Sequence, residues 1–286
     1  TFVTDKIKSL LLGAIIEKVC GKSYRDFLDE HMFSPLGMMH TCYEPIPGRV
    51  IPGMVSGYTK TPDAYLHAEY FSTSHFFAAG GLVSTADDLA RFCTALCTGN
   101  LLNAETLRRM WTPARLPDGA STHYGCGWWV STCQERPVME HYGIRPGYAN
   151  QLLVLPDDNI LVIVLSNDDG NLNQTEHLAV EMAALALRNP YQPPARFPFS
   201  SDELSHFAGD YTTSEGKHLV VVSEAGKLVM QGTPEERFAL QPLSPLEFFF
   251  PEIPESRLVF SHKKDRITGF LWSPRRGMPL HARKTE

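Results

Sequence analysis

Apolar residues recur at helical spacing from Leu10 to Val19. Leu11, Leu12, Ile15, Ile16 and Val19 fall on one side of a predicted helix, which Gly21 stops. Ser23-Tyr24-Arg25-Asp26 sets a hydroxyl three residues before an acid, the pattern of an N-terminal cap, and opens a second helix toward Met32. Ser34-Pro35-Leu36-Gly37-Met38 breaks the period. From Glu44 to Tyr70 the chain is rich in Pro, Gly and Tyr without sustained periodicity, so it reads as a long surface excursion. Ser84-Thr85-Ala86-Asp87 begins another capped helix with Leu89, Phe92, Ala95 and Leu96 inward, and Asn103 caps a shorter one through Met110.

The period changes after Tyr124. Gly127-Trp128-Trp129-Val130, Val138 to His141, Gln151 to Leu155 and Ile160 to Leu165 read as strands, the last two joined by the turn Pro156-Asp157-Asp158-Asn159. Trp128 and Trp129, as strand neighbours, are predicted to point to opposite sides. Asn173 is read as the cap of a last helix over Glu176 to Leu187, ended by Asn189-Pro190. Tyr191-Gln192-Pro193-Pro194 has the composition of a linker. Beyond it the texture is of short strands: His218–Val222, Lys227–Gln231, Glu247–Phe250, Arg257–Phe260 and Ile267–Trp272. Their turns fall at Ala225-Gly226 and Lys264-Asp265. That spacing predicts a small antiparallel barrel or sandwich. Phe248-Phe249-Phe250 reads as a strand buried on both faces, or as an exposed recognition patch.

Composition narrows the class of protein. The 286 residues carry a net charge of −6 and no dense Lys/Arg run, which argues against nucleic acid as a partner. No apolar run reaches the roughly 20 residues of a membrane span, and Leu10 to Ile16 lacks the order of a signal peptide; the compartment stays open. The six cysteines form no Cys-x-x-Cys pair, so zinc and thioredoxin-type chemistry have no footing, and Cys93 and Cys97 read as buried thiols on one helix. His177 and Glu181, one helical turn apart, read as a solvated pair rather than a metal site. No cofactor motif occurs.

Several short segments, taken in order, resemble the serine β-lactamase-like superfamily of class C β-lactamases, penicillin-binding D,D-peptidases, D-aminopeptidases and esterases. They are Leu11-Leu12-Gly13-Ala14-Ile15-Ile16-Glu17-Lys18, Phe33-Ser34-Pro35-Leu36-Gly37-Met38 and Ala79-Gly80-Gly81-Leu82-Val83-Ser84-Thr85, followed by Tyr124-Gly125-Cys126-Gly127-Trp128, His141-Tyr142-Gly143 and Pro146-Gly147. The likeness covers residues 10–188. Residues 203–211 more weakly resemble the start of a lipocalin-like β domain. The resemblance implies an α+β, β-lactamase/transpeptidase-like fold whose antiparallel sheet is incomplete at the N-terminal side, followed by a small antiparallel β-barrel. Residues 1–190 would form the first domain, 191–199 a linker and 200–286 the barrel.

In that family three elements meet at the site. A serine with a lysine three residues on supplies the nucleophile and an amine. A Tyr-x-Asn or Ser-x-Asn segment moves a proton and holds the substrate amide. A Lys-x-Gly or His-x-Gly strand forms the opposite wall, its backbone helping to hold the oxyanion. His141, Tyr142 and Gly143 match the third element, with His141 at the basic position and Gly143 leaving room for substrate. A lone strand histidine is ordinarily structural; the ordered series of motifs is what assigns this one to the site.

The other two elements are not matched in place. The family's Tyr-Ser-Asn falls on Thr4-Asp5-Lys6, and its following Gly and Tyr appear as Lys8 and Ser9. That abrupt loss of likeness reads as truncation, a frameshift or decay. Ser214-Glu215-Gly216-Lys217 and Ser261-His262-Lys263-Lys264 match Ser-x-x-Lys formally, but both fall at turns or strand ends, and Tyr148-Ala149-Asn150 follows the His-x-Gly strand instead of preceding it. The expectation is a β-lactamase-related hydrolase of amides, β-lactams or esters whose nucleophile is absent from this chain, with a small-molecule or peptide substrate such as a D-amino-acid peptide. Two further readings are a non-catalytic module binding peptide or cell wall, and half of an enzyme completed by a separate N-terminal chain. Family members are often periplasmic or secreted.

Overall fold

A computed structural model describes residues 6–285 apart from 62, 193, 233–236, 252, 265 and 276–278, with the backbone alone for 6, 171 and 254. Thr4 and Asp5, two of the three positions aligned with the family's Tyr-Ser-Asn, lie outside the described residues. The chain divides into two compact units: residues 1–120 with 124–189, and residues 121–123 with 190–286.

The first unit opens with helix α1 (Lys6–Cys20), ended as expected at Gly21, whose φ of +70° suits glycine. Of its apolar stripe only Ile16 packs against a core. Leu11, Leu12, Ile15 and Val19 are exposed, and the helix instead sets Gly13 against Phe77 and Ala78, where an added Cβ would lie only 2.6 Å from each. Ser23 caps α2 (Tyr24–Leu28) by accepting from the Asp26 N–H. A π-helical turn, Asp29–Phe33, leads into α3 (Ser34–Leu36), which closes at left-handed Gly37. Tyr24, Leu28, Phe33, Met38 and Tyr43 form a small core with Ile16 and Phe77 packed against it, so the first two family-like segments fold onto one another.

The excursion that shows no period in sequence contains a small hairpin, β2 (Tyr58–Lys60) with β3 (Tyr65–His67). A second two-stranded sheet pairs β1 (Cys42–Tyr43) with β4 (Leu82–Val83). Thr85 and Asn103 cap α4 (Ala86–Cys97) and α5 (Ala104–Met110) as the sequence predicts. Cys93 is buried but Cys97 is exposed, because position 97 falls on the outer flank of α4's last turn.

Four strands then form an antiparallel sheet in chain order: β5 (Trp129–Cys133), β6 (Arg136–Arg145), β7 (Tyr148–Leu155) and β8 (Ile160–Ser166). The β6–β7 connection is two residues, Pro146-Gly147, with Gly147 at φ +83°; proline followed by a positive-φ glycine is the chemistry of a type II turn. Helix α6 (Leu172–Ala186) follows. Asn173 lies inside it rather than at its cap, since Leu172 is already helical after the turn Asp169–Asn171. Alternation divides the sheet's side chains. Val138, Leu153 and Leu155 pack on Ala179, Val180 and Ala183 of α6, while Met139, Val154 and Trp128 pack with Cys93 and Leu96 of α4 and Leu107 of α5. Trp128 is buried there, and Trp129 is directed elsewhere, against Tyr124.

The second unit is a closed antiparallel barrel of eight strands, so barrel rather than sandwich is the outcome. Its strands are β9 (Gly209–Thr213), β10 (His218–Glu224), β11 (Lys227–Gln231), β12 (Arg237–Pro242), β13 (Glu247–Phe250), β14 (Ile253–Lys263), β15 (Arg266–Ser273) and β16 (Leu280–Lys284). Pairing of β16 with β9 closes the ring and leaves no strand edge. A capped helix, α7 (Ser201–Ser205), adds Leu204 to a core of Phe207, Tyr211, Phe248, Phe260 and Phe270. Phe248, Phe249 and Phe250 are all buried, which excludes the exposed patch. Phe197 donates its N–H to Pro242, and Phe199 stacks on Phe248, so this stretch packs with the barrel.

Candidate active-site wall

His141 lies on β6, two residues beyond Met139, and so continues the face covered by α4 and α5. Strand β5 pairs only as far as the Trp129–Glu140 register. From His141 to Arg145, β6 has β7 on one side and, among the described residues, no strand on the other. This segment therefore lies on a flank of the sheet.

The imidazole is held at both nitrogens. Nδ1 lies 2.6 Å from the Tyr142 carbonyl oxygen, which can only accept, so Nδ1 carries the proton. Nε2 then accepts from the Tyr124 hydroxyl at 3.2 Å. The His141 and Tyr142 rings lie nearly parallel, 5.6 Å apart at 21°, and Tyr124 meets His141 edge-on. Burial first, then the neighbouring Tyr142 and Cys126, holds the Tyr124 phenol above its ordinary pKa, so it remains a donor throughout the neutral range. Tyr124 stands 17 positions before His141, on a separate segment, and its role was not evident from sequence beyond its place in the Tyr-Gly-Cys-Gly-Trp motif.

Gly143 extends the same face. A Cβ built there would meet only Asn150 Nδ2, at 3.9 Å, an ordinary contact. Protein packing therefore does not demand glycine; its effect is open space above the strand. Next to the histidine, Glu140 is fully buried and accepts from Ser131 of β5 and from Gln151 of β7, the latter at 2.7 Å. One carboxylate thus ties three strands together at the level of His141. At the far end, the Arg145 guanidinium donates to the carbonyls of Phe71 (2.9 Å) and Gly80 (3.3 Å) and lies 4.3 Å over the Phe76 ring. That brings the Ala79-Gly80-Gly81 segment to the end of β6.

The remaining sequence candidates lie elsewhere or have structural partners. Ser214 and Lys217 flank the β9–β10 turn. Ser261 is within β14 and Lys264 is in the turn after it, so neither pair has a helix to align serine with lysine. Tyr148 donates its hydroxyl to the Val55 carbonyl at 2.6 Å, and Asn150 accepts from the Ser166 N–H at 3.2 Å. His177 pairs with Glu181 at 3.2 Å on α6, and among the described residues no three His, Cys, Asp or Glu side chains group as metal ligands.

An antiparallel sheet with helices on both faces and a His-x-Gly strand is the architecture of the β-lactamase/transpeptidase class. The chain belongs to the Beta-lactamase family, whose profile matches residues 5–187. It is similar to penicillin-binding protein 4* of Bacillus subtilis (strain 168), with 25% identity over 84% of this chain and 57% of the relative. It is also similar to the D-aminopeptidase of Brucella ovis, with 27% identity over 65% of this chain and 35% of the relative. The chain thus spans little more than half of one relative's length and about a third of the other's. In structure it resembles the octameric penicillin-binding protein homologue from Pyrococcus abyssi (TM-score 0.61, 19% identity, 99% of this chain and 65% of that one). It also resembles the D-amino acid amidase of Ochrobactrum anthropi SV3, solved with L-phenylalanine amide (TM-score 0.57, 24% identity, 66% and 58%). At these identities the structural likenesses establish the fold.

Proposed function

We propose that this chain supplies the substrate-binding wall of a serine acyl-transfer hydrolase, and that these 286 residues by themselves do not turn over substrate. The observation that carries the reading is the flank of β6 from His141 to Arg145, with no strand among the described residues on the β5 side, a histidine oriented by Tyr124 and a glycine that packing does not require. An extended amide or ester pairs with the strand backbone there, beside the imidazole that Tyr124 and the Tyr142 carbonyl fix in place, and Gly143 lets it approach closely. Similarity to a D-aminopeptidase favours D-amino-acid amides and peptides, with β-lactams and esters as related acyl donors. Nucleophilic attack needs a serine paired with a basic group, and neither formal Ser-x-x-Lys pair lies on a helix.

The test is a titration of the chain with D-phenylalanine amide and D-alanyl-D-alanine, followed by backbone and histidine NMR. Saturable shifts confined to residues 141–145 and Tyr124, stronger for D- than for L-compounds, are expected. Shifts elsewhere, or none, would sink the reading. Saturable binding of peptidoglycan by the chain alone, with no turnover after any second polypeptide is added, would favour a binding module instead.

A further inference from the structure

The stretch 195–199, which the sequence assigns to a linker, forms one wall of a cavity on the barrel. Among the described residues its backbone is tied to the barrel at one point, where the Phe197 N–H donates to the Pro242 carbonyl at 2.9 Å. Pro198 has no N–H to continue that pairing, and Ser200 turns the chain into α7 through its capping box. The stretch therefore meets the end of β12 without becoming a further strand. Between it, α7 and the adjoining ends of β11 and β12 lies a cavity of about 280 Å³. Leu204, Leu228 and Leu240 line it and are only 4%, 1% and 3% exposed, so its inner part is apolar. Phe197, Pro198 and Phe199 complete that lining, with Phe199 held by its stack on Phe248.

Two cations complete the site. Arg196 and Lys227 both line the cavity and are exposed, and among the described residues neither forms an ion pair. Glu224, the residue opposite Lys227 in the β10–β11 ladder, is taken by Arg237. No Asp or Glu lines the cavity among the described residues. An unpaired charge is costly against the leucine floor, so an occupant keeps its charged group at the rim and its apolar body inside. Size bounds that body. A dry apolar cavity of about 150 Å³ holds benzene, so this one holds roughly ten to twelve non-hydrogen atoms. That is one ring on a short chain, or one short acyl chain, and it excludes a two-chain lipid. We propose that the cavity binds a small amphipathic monoanion, an aryl- or alkyl-carboxylate, whose carboxylate lies between Arg196 and Lys227. A guanidinium takes a carboxylate through two parallel N–H···O bonds, and the ammonium adds a point charge. The site is built wholly from the barrel unit and does not rest on the acyl-transfer reading of the first.

The experiment titrates the whole chain, methyl-labelled at leucine, with hydrocinnamate, with its neutral amide and with acetate, followed by NMR. Hydrocinnamate is expected to saturate one site with a Kd at or below about 1 mM. Its shifts should concentrate on the methyls of Leu204, Leu228 and Leu240, and the amide and acetate should bind at least about tenfold more weakly. Arg196→Gln and Lys227→Gln, both at exposed positions, should each weaken the acid about five- to tenfold and leave the amide within about twofold. Ala239→Leu fills the cavity from β12 and should abolish the shifts, with far-UV circular dichroism and melting temperature those of the parent. Equal affinity for acid and amide, affinity for the acid unchanged in both glutamine variants, or no saturation below about 10 mM would each overturn the proposal.

Discussion

At the residue scale, the two glycines at the His141 end of β6 separate fold from function. Gly147 has φ +83°, and a Cβ on it would lie 2.7 Å from the Gly57 Cα and 2.8 Å from the Ala68 Cβ. Gly147→Ala is therefore expected to cost about 1–3 kcal/mol in urea unfolding, from strain and collision. Gly143→Ala meets only ordinary contact and should unfold within about 0.5 kcal/mol of the parent while weakening ligand binding; a large loss of stability there would mean that packing, not ligand space, requires the glycine. The thiols sort in the same way. Cys93 is buried, its pKa pushed up to about 12 by burial and then by neighbouring Cys97, and Cys133 is buried beneath α6. Native chain treated with iodoacetamide at pH 8 should be alkylated at exposed Cys126 and spared at Cys93 and Cys133 until denaturant is added. Rapid modification of Cys93 in the native chain would contradict the packing of α4.

At the element scale, caps were legible because they are local. Ser23, Thr85 and Asn103 each sit three residues before the N–H they accept from, and all three cap as read. What escaped the sequence is tertiary. The apolar stripe of α1 shows its periodicity but not which side packs, and Gly13 decides that by close approach to Ala78. Strands β12 and β16 interleave Arg, Gln, Pro, His and Lys with their apolar residues and so carry weak alternation. They are strands because ring closure pairs them on both sides. Of the candidate site, His141 and Gly143 stood out in sequence, whereas the pairing of His141 with Tyr124 and of Arg145 with Phe71 and Gly80 joins segments that meet only in the fold.

Asp88 shows an element tied by one buried side chain. It lies on α4 and accepts from the His40 N–H (2.7 Å), the Thr41 hydroxyl (2.9 Å) and Arg91 (2.7 Å). Burial pushes its carboxyl up, but these donors together hold it below the usual aspartate value. A depressed folded pKa stabilises above the unfolded value near 4 and ceases to do so as pH falls through the folded one. Asp88→Ala should thus cost about 2–4 kcal/mol at pH 7, with the difference from the parent narrowing below about pH 4. Chemical denaturation from pH 3 to 8 checks it, and a pH-independent difference would refute the charged role.

At the scale of the whole molecule, the two units are stabilised differently. The barrel closes its hydrogen-bond ring and fills it with aromatic side chains, each large one contributing about 1.5–3 kcal/mol on burial. Residues 190–286 expressed alone are accordingly expected to show antiparallel-sheet circular dichroism and one cooperative melting transition; a disordered spectrum would show that the barrel needs the rest of the chain. The first unit instead leaves an unpaired sheet edge at β8 and apolar helix surface on α1 and α6, and it holds the His-x-Gly wall without a helix-borne Ser-x-x-Lys among the described residues. Membership of the family rests on the match over residues 5–187, whereas turnover requires a nucleophile.

The most direct measurement is pre-steady-state hydrolysis of nitrocefin and p-nitrophenyl acetate by the purified chain, with intact mass recorded after exposure to a serine-directed β-lactam. No burst and no added mass are the results expected. A burst approaching one equivalent, accompanied by a covalent adduct on a serine, would contradict the account.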